Sequence, residues 1–287
     1  MQTVSTLDPL RSAVAQLRER GPVALVPTMG ALHAGHLTLV RKARERVGQQ
    51  GAVVVSIFVN PLQFGANEDL DAYPKVLERD SELLLAEGVD LLWAPVVEAM
   101  YPQGFATSIA VSGVSNGLCG ASRPGHFDGV ATVVCKLFNQ VRPDMALFGE
   151  KDWQQLAVIR RMATDLDLAF PAAGQIFGVP TVREADGLAM SSRNAYLDAE
   201  QRARAVALPL AMKDAIAAIE SGKPIAPTLA GLEAELLAGG FHQIDYAQLC
   251  DAASLAPLDT PIPGPMRLLV AARIGPARLI DNMAVTP

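Results

Sequence analysis

His33 and His36 stand three residues apart in Pro27-Thr28-Met29-Gly30-Ala31-Leu32-His33-Ala34-Gly35-His36. On a helix that spacing turns both imidazoles to the same side. Gly30 and Gly35 remove side chains where a ligand would approach the backbone. A helix beginning here adds free N–H groups and partial positive charge, a seat for phosphate. The plainer alternative is a pair of histidines that only cap or pack. The apolar run before them, the glycines, the spacing and the helix start together favour the anion-binding reading.

Three further segments carry residue types suited to the same chemistry. Asn60-Pro61-Leu62-Gln63-Phe64-Gly65 closes the most apolar run of the chain. Its Gln63 offers a neutral donor and acceptor, fitted to hydroxyl or carbonyl groups, although a structural turn explains the segment equally well. Phe148-Gly149-Glu150-Lys151-Asp152-Trp153-Gln154-Gln155 places Lys151 where it could neutralise a phosphate, with Gln155 one helical turn further; a solvated Lys–Asp loop is the alternative. Asp186-Gly187-Leu188-Ala189-Met190-Ser191-Ser192-Arg193-Asn194 brings two hydroxyls and a guanidinium into a glycine-containing turn, which could close over a polyphosphate as a mobile lid. Ser-Ser before a helix is otherwise a common cap. Arg123-Pro124-Gly125-His126-Phe127-Asp128-Gly129-Val130 offers Arg and His at a helix entry and reads most simply as packing.

These segments need elements to position them. Apolar, β-branched runs at Val23–Val26, Val53–Val59, Leu91–Trp93 and Met145–Phe148 predict strands, and helical spacing recurs over Leu37–Val47, Val76–Ala86, Gly129–Val141 and Trp153–Leu166. Strands alternating with helices predict an α/β fold with a Rossmann-like, doubly wound parallel sheet, whose ligands belong at the carboxyl ends of the strands. Beyond Pro180 the pattern changes to an Ala-rich helix over Ala199–Ile219, a second over Thr228–Leu237, and strands at Ile244–Leu249 and Arg267–Ile274. Residues 1–182 are thus expected to form the Rossmann-like domain whose strand ends carry the site, and 183–287 a lid and smaller C-terminal α+β domain.

Composition bounds the partners. Twenty-four Lys and Arg against 30 Asp and Glu leave a net charge of -6 over 287 residues, so no global field draws the chain to nucleic acid or an anionic membrane. Any anion must be met by local cations. No apolar run approaches the roughly 20 residues of a transmembrane helix. Asp8, Arg11, Arg18 and Glu19 interrupt the start, which therefore lacks a signal-peptide core. A cytoplasmic location is expected. Cys119, Cys135 and Cys250 are odd in number and widely spaced, which predicts buried free thiols rather than a disulfide framework or a zinc site.

H-x-G-H after a first strand, with a later Met-Ser-Ser-Arg turn, resembles the superfamily of class I aminoacyl-tRNA synthetases and nucleotidylyltransferases. The four segments beginning at Pro27, Val59, Phe148 and Asp186, with Arg278-Leu279-Ile280-Asp281-Asn282 near the end, look in that order like the pantothenate synthetase family, over essentially the whole chain. The resemblance implies ligation of (R)-pantoate to β-alanine with ATP and Mg²⁺, through a pantoyl-adenylate, by a cytoplasmic homodimer. It implies that Met29, Gly30, Ala31, Leu32, His33, Ala34, Gly35 and His36 bind ATP, with His36 the proton donor and His33, Lys151 and Arg193 beside it in catalysis. Gly149, Glu150, Lys151 and Asp152 would contact the nucleotide, Val182 would meet adenine through its backbone, and Met190, Ser191, Ser192 and Arg193 would close on the phosphates. Gln63 would hold pantoate and β-alanine and Gln155 would hold pantoate, with Asn60, Pro27 and Met29 adding substrate contacts. Asp80, after the Tyr73-Pro74 pair, is assigned the metal. Ala189 stands where many members of the superfamily carry lysine. A nucleotidylyltransferase is the nearest alternative, and a catalytically silent nucleotide-binding module is one from another class.

Overall fold

A computed structural model of the protein describes residues 1–65, 70 and 72–286. The chain groups into two compact units. The first comprises Met1–Ser112, Arg123–Glu150 and Val158–Pro180, and the second comprises Gly113–Ser122, Lys151–Ala157 and the chain from Thr181 onward.

In chain order the elements up to the end of the first unit are β1 (Gln2–Val4), α1 (Leu7–Arg18), β2 (Val23–Thr28), α2 (Ala34–Val47), β3 (Ala52–Ile57), α3 (Leu77–Ala86), β4 (Leu91–Trp93), the single turns α4 (Val97–Met100) and α5 (Cys119–Ser122), α6 (His126–Val141), β5 (Met145–Gly149), α7 (Trp153–Asp165) and β6 (Ile176–Val179). The strands form one six-stranded sheet in the order β1-β4-β3-β2-β5-β6. Every pairing is parallel, and β2 aligns with β3 from Val23 opposite Ala52 to Thr28 opposite Ile57. The central strands are continuous Val-rich runs because helices cover both faces of such a sheet. Val53 and Val55 pack with Leu39, Val40, Ala43 and Val47 of α2 and Leu84 of α3. Trp93 of β4 donates its indole N–H to Gln140 of α6 at 3.1 Å. The expected doubly wound α/β sheet is present. The edge strands β1 and β6 and helix α1 complete it; β1 is three residues long and β6 contains a glycine, so neither forms an apolar run.

The second unit continues with α8 (Ala199–Arg204), α9 (Ala207–Glu220), α10 (Ile225–Ala238) and the antiparallel sheet β7 (Gln243–Asp251), β8 (Met266–Ile274), β9 (Ala277–Val285). Leu208, Met212 and Ile219 of α9, Leu232 and Leu236 of α10, and Leu249, Leu268, Val270 and Leu279 of the sheet share its core. The expected helix over Ala199–Ile219 is corrected to two helices. Pro209 lacks an N–H and its ring opposes the carbonyl four residues earlier, so the chain restarts, with Leu208 N–H bonding to Ala205 at 3.1 Å. The two expected strands become three. All three cysteines are free and buried, as expected.

Candidate functional site

Thr28 ends β2, and its hydroxyl donates to the Ser56 carbonyl of β3 at 2.8 Å while accepting from Gly30 N–H at 3.3 Å. The chain then takes positive φ at Gly30 (84°) and at Ala31 (51°). Asp80, at the start of α3, holds that turn: its two carboxylate oxygens accept the Ala31 N–H at 2.7 Å and the Leu32 N–H at 2.9 Å. A Cβ at Gly30 would lie 3.1 Å from the same carboxylate. Asp80 is 1% exposed and each of its oxygens accepts a backbone amide. The structure makes this carboxylate the anchor of the loop into α2, a role that the expectation of a metal ligand does not include. Among the described residues no group of three or more His, Cys, Asp or Glu side chains comes together.

The loop delivers the chain into α2 through a reciprocal cap. His33 Nδ1 accepts the Gly35 N–H at 3.2 Å, and His36 Nδ1 accepts the His33 N–H at 3.4 Å. Capping and anion binding are therefore compatible. An Nδ1 that accepts carries no proton, so in the neutral ring the proton sits on Nε2 and makes that atom a donor. The ring centroids are 4.1 Å apart, so both donors belong to one patch at the N-terminus of a 14-residue helix.

After β3, Asn60 and Gln63 are buried on a single helical turn, Pro61–Gln63. Asn60 Oδ1 accepts from Leu62 N–H at 3.3 Å and from the Tyr101 hydroxyl at 2.7 Å. Burial pushes the Tyr101 pKa well up, which keeps the hydroxyl a donor. Asn60 Nδ2 donates to Gln63 Oε1 at 3.3 Å, and Gln63 Nε2 lies 2.7 Å from Met29 Sδ. The structure thus brings Met29 of the first loop against Gln63 of the second.

Gly149 is the last residue of β5, and Glu150, Lys151 and Asp152 form one helical turn leading into α7. Lys151 Nζ is 3.7 Å from Asp152, with the lysine side chain 20% exposed. Gln154 is structural: it is buried, donates to the Val114 and Gly117 carbonyls and accepts from Cys119 N–H. Gln155 is half-buried beside it.

In the second unit, the Val182 carbonyl accepts Met190 N–H at 3.0 Å, and Arg183 bridges to Ala189. Arg183 forks onto Asp281 of β9 at 2.6 and 2.9 Å. Arg202 of α8 grips Glu184 and Asp186, and Asn194 donates to Glu184 and to the Ala189 carbonyl. Ser191 caps the turn by accepting Arg193 N–H at 3.3 Å. The segment is pinned at several points along its length rather than loose. Sequence reasoning does not find Tyr101, Asp281 or Arg183 as parts of these supports; the Arg278–Asn282 stretch is the only signal near them.

Three of the expected loops follow β3, β2 and β5, which are adjacent in the sheet. The chain winds outward from β2 in both directions, so these ends flank the switch point where an open α/β sheet leaves a crevice.

The family model for pantoate-beta-alanine ligase matches residues 2–284. A pantothenate synthetase of Novosphingobium aromaticivorans is 65% identical over 288 residues, covering all of both chains. The crystal structure of pantothenate synthetase from Thermus thermophilus superposes with a TM-score of 0.91 at 49% identity, covering both chains fully. That of pantoate-beta-alanine ligase from Francisella tularensis, complexed with beta-gamma ATP and beta-alanine, gives 0.82 at 32% identity and covers 99% of this chain and 97% of its own.

Proposed function

The chain belongs to the pantoate-beta-alanine ligase family, and from that premise we infer that the loops at the carboxyl edge of its parallel sheet run the two half-reactions of that ligation. (R)-pantoate and β-alanine are joined at the expense of ATP, which leaves as AMP and diphosphate. The observation that carries the assignment of residues is the cap at α2, which fixes a proton on Nε2 of both His33 and His36 beside a helix N-terminus.

A carboxylate resists attack by an amine until its oxygen becomes part of a leaving group. In the first step a carboxylate oxygen of pantoate attacks the α-phosphorus, forming a C–O–P linkage while the bond to the β-phosphate oxygen breaks and diphosphate departs. Charge gathers on phosphoryl oxygens, so preorganised donors are the main requirement. In this reading His36 gives the hydrogen bond or proton that the departing oxygens need, and His33, Lys151 and Arg193 supply further positive or donor groups. Met29 to His36 and Gly149 to Asp152 contact the nucleotide, the Val182 backbone meets adenine, and Met190 to Arg193 receive the phosphates. In the second step the β-alanine amine, arriving neutral, attacks the acyl carbon, and AMP leaves with its electron pair. The amine then gives up a proton. Gln63 and Gln155 orient the hydroxyl-bearing acid, Gln63 also meets β-alanine, and Asn60, Pro27 and Met29 shape the same place, so proximity does most of the work. Mg²⁺ enters as the ion that accompanies the triphosphate; with Asp80 committed to the loop, no step is routed through it.

A homodimer in the cytoplasm is the assembly this reading proposes, on the family resemblance. No helix among the described residues is long and apolar enough to cross a membrane. A nucleotidylyltransferase is not favoured: its phosphorylated acceptor calls for cations where this chain places the neutral, buried Asn60–Gln63 pair. The test is AMP release with pantoate and β-alanine together and then with each omitted, alongside diphosphate exchange into ATP. Exchange that requires pantoate, and AMP release that requires both, are expected. Exchange without pantoate overturns the reading.

A further inference from the structure

We propose that Arg123 and His126 are positioning residues for Gln63, acting through its backbone carbonyl to set the carboxamide that receives pantoate and β-alanine; this rests on the role given to Gln63 above.

The first turn of α6 is the seat of the Asn60–Gln63 loop. A Cβ at Gly129 would lie 2.3 Å from the Leu62 carbonyl oxygen and 2.7 Å from Gln63 N, distances no side chain tolerates, so glycine here lets helix and loop backbones touch. Asn60 Nδ2 donates to the Gly129 carbonyl at 3.1 Å across the same contact. At this seat His126 Nδ1 lies 2.8 Å from the Gln63 carbonyl oxygen, and Nε2 lies 2.9 Å from Arg123 Nη1. A carbonyl only accepts and a guanidinium only donates. Nδ1 must therefore carry the proton and Nε2 must accept, so two contacts independently select one neutral tautomer. Arg123 also reaches the same carbonyl through Nη2 at 3.3 Å.

One carbonyl thus takes a direct bond from the imidazole and a second from the guanidinium that orients the imidazole. Gln63 is then held from both ends: its backbone by Arg123 and His126, its side chain by Asn60 and Met29. A carboxamide fixed in this way presents donor and acceptor in a set order, which is what distinguishes a substrate hydroxyl from a carboxylate. The segment Arg123–Gly129, which reads in the sequence as a plain helix entry, becomes part of the machinery for substrate selection.

The experiment is a kinetic cycle on the full-length enzyme, with KM for pantoate, β-alanine and ATP, kcat and Tm measured for Gln63→Ala, His126→Ala, the double variant, His126→Asn and Arg123→Met. His126→Ala is expected to raise KM for pantoate and β-alanine roughly tenfold, the usual effect of one lost bond to a buried group, while KM for ATP stays within about twofold. His126→Asn can offer its Nδ2–H where Nδ1–H was and is expected to restore both values to within about threefold. Arg123→Met is expected to shift the same two constants by a smaller factor. In the double variant the histidine change is expected to add nothing to Gln63→Ala. If His126→Ala fails to fold, the Asn and Met variants carry the same comparison. Raised KM values in Gln63→Ala with wild-type values in the His126 and Arg123 variants overturn the positioning role alone. So does an additive double variant, or a parallel rise in KM for ATP. Unchanged pantoate and β-alanine constants in Gln63→Ala overturn the Gln63 reading and this inference with it.

Discussion

Asn282, on the last strand of the chain, donates its side-chain N–H to the backbone carbonyl of Lys151 at 2.8 Å, across 131 positions of sequence. Its other side-chain atom, Oδ1, accepts from Arg267, whose guanidinium lies 3.4 Å above the Trp153 ring. Trp153 in turn donates to the Ala252 carbonyl at 2.9 Å. The neighbouring Asp281 grips Arg183, and Arg278 grips Asp245 at 2.6 Å. The terminal stretch from Arg278 to Asn282 is thus a row of anchors inside one unit, and two of them hold the segments that carry Lys151 and the Met190–Arg193 turn.

Asn282→Ala is expected to lower kcat/KM for ATP roughly tenfold, the cost of one lost bond to the Lys151 carbonyl and of a less fixed Lys151. Steady-state kinetics at saturating pantoate and β-alanine reads it. Wild-type kcat/KM for ATP in a folded variant rules out this anchor as a functional one.

In the proposed reading His36 has two tasks on two nitrogens, the cap at Nδ1 and the donor at Nε2, and they can be separated. In His36→Asn, the side-chain oxygen can replace Nδ1 as acceptor for the His33 N–H, but nothing replaces Nε2–H. The melting temperature is expected to stay near that of the wild type, while kcat falls roughly 10²- to 10³-fold, as for loss of one transition-state donor. His36→Ala is expected to lose the cap as well, so its Tm also falls. A kcat within about threefold of wild type in either variant removes His36 from the chemistry.

Asp80→Ala takes the acceptor from the half-buried Ala31 amide and from the buried Leu32 amide, the latter at about 1–3 kcal/mol. Tm is expected to drop and KM for ATP to rise, because the loop into α2 loses its anchor. Asp80→Asn keeps one good acceptor and is expected to fall between. Excess Mg²⁺ is expected to restore neither variant. Recovery of ATP affinity in a magnesium titration would make Asp80 a metal ligand after all.

The parts of the fold visible in the sequence are those built from local pattern. β2, β3 and β5 are largely apolar because both faces are covered, and the polar residues at and after their ends mark the carboxyl edge. What the sequence hides depends on partners distant along the chain. Asp80 is given a metal role by the family resemblance alone, whereas its partners in the fold are backbone amides 48 and 49 positions earlier, and backbone leaves no mark in a sequence. β9 does not read as a strand because Asp281 and Asn282 break its apolar pattern; they are buried and polar because Arg183, Arg267 and the Lys151 carbonyl await them. His126 reads as an ordinary helix entry because its partner is the carbonyl of Gln63.

Asp90 marks the opposite edge of the sheet, where stability and chemistry are expected to separate. It accepts Val53 N–H at 2.9 Å and is paired with Arg44 and with Arg20. Burial opposes its charge, but the Val53 amide and then the two guanidinium groups outweigh that, and the pKa lies below the ordinary carboxylate value. The sign follows from linkage. The unfolded chain takes up the proton first, near about pH 3.9, so the contribution of Asp90 is complete above about that pH and is lost as pH falls through the lower, folded value. In Asp90→Asn the deficit in Tm against the wild type is therefore expected to be constant from neutral pH down to about pH 5 and to shrink below about pH 4. Its kcat and KM values are expected to match the wild type, because the strand ends that carry the loops lie at the other edge. A deficit that persists undiminished into the acid range would show that Asp90 stabilises through packing rather than through its charge.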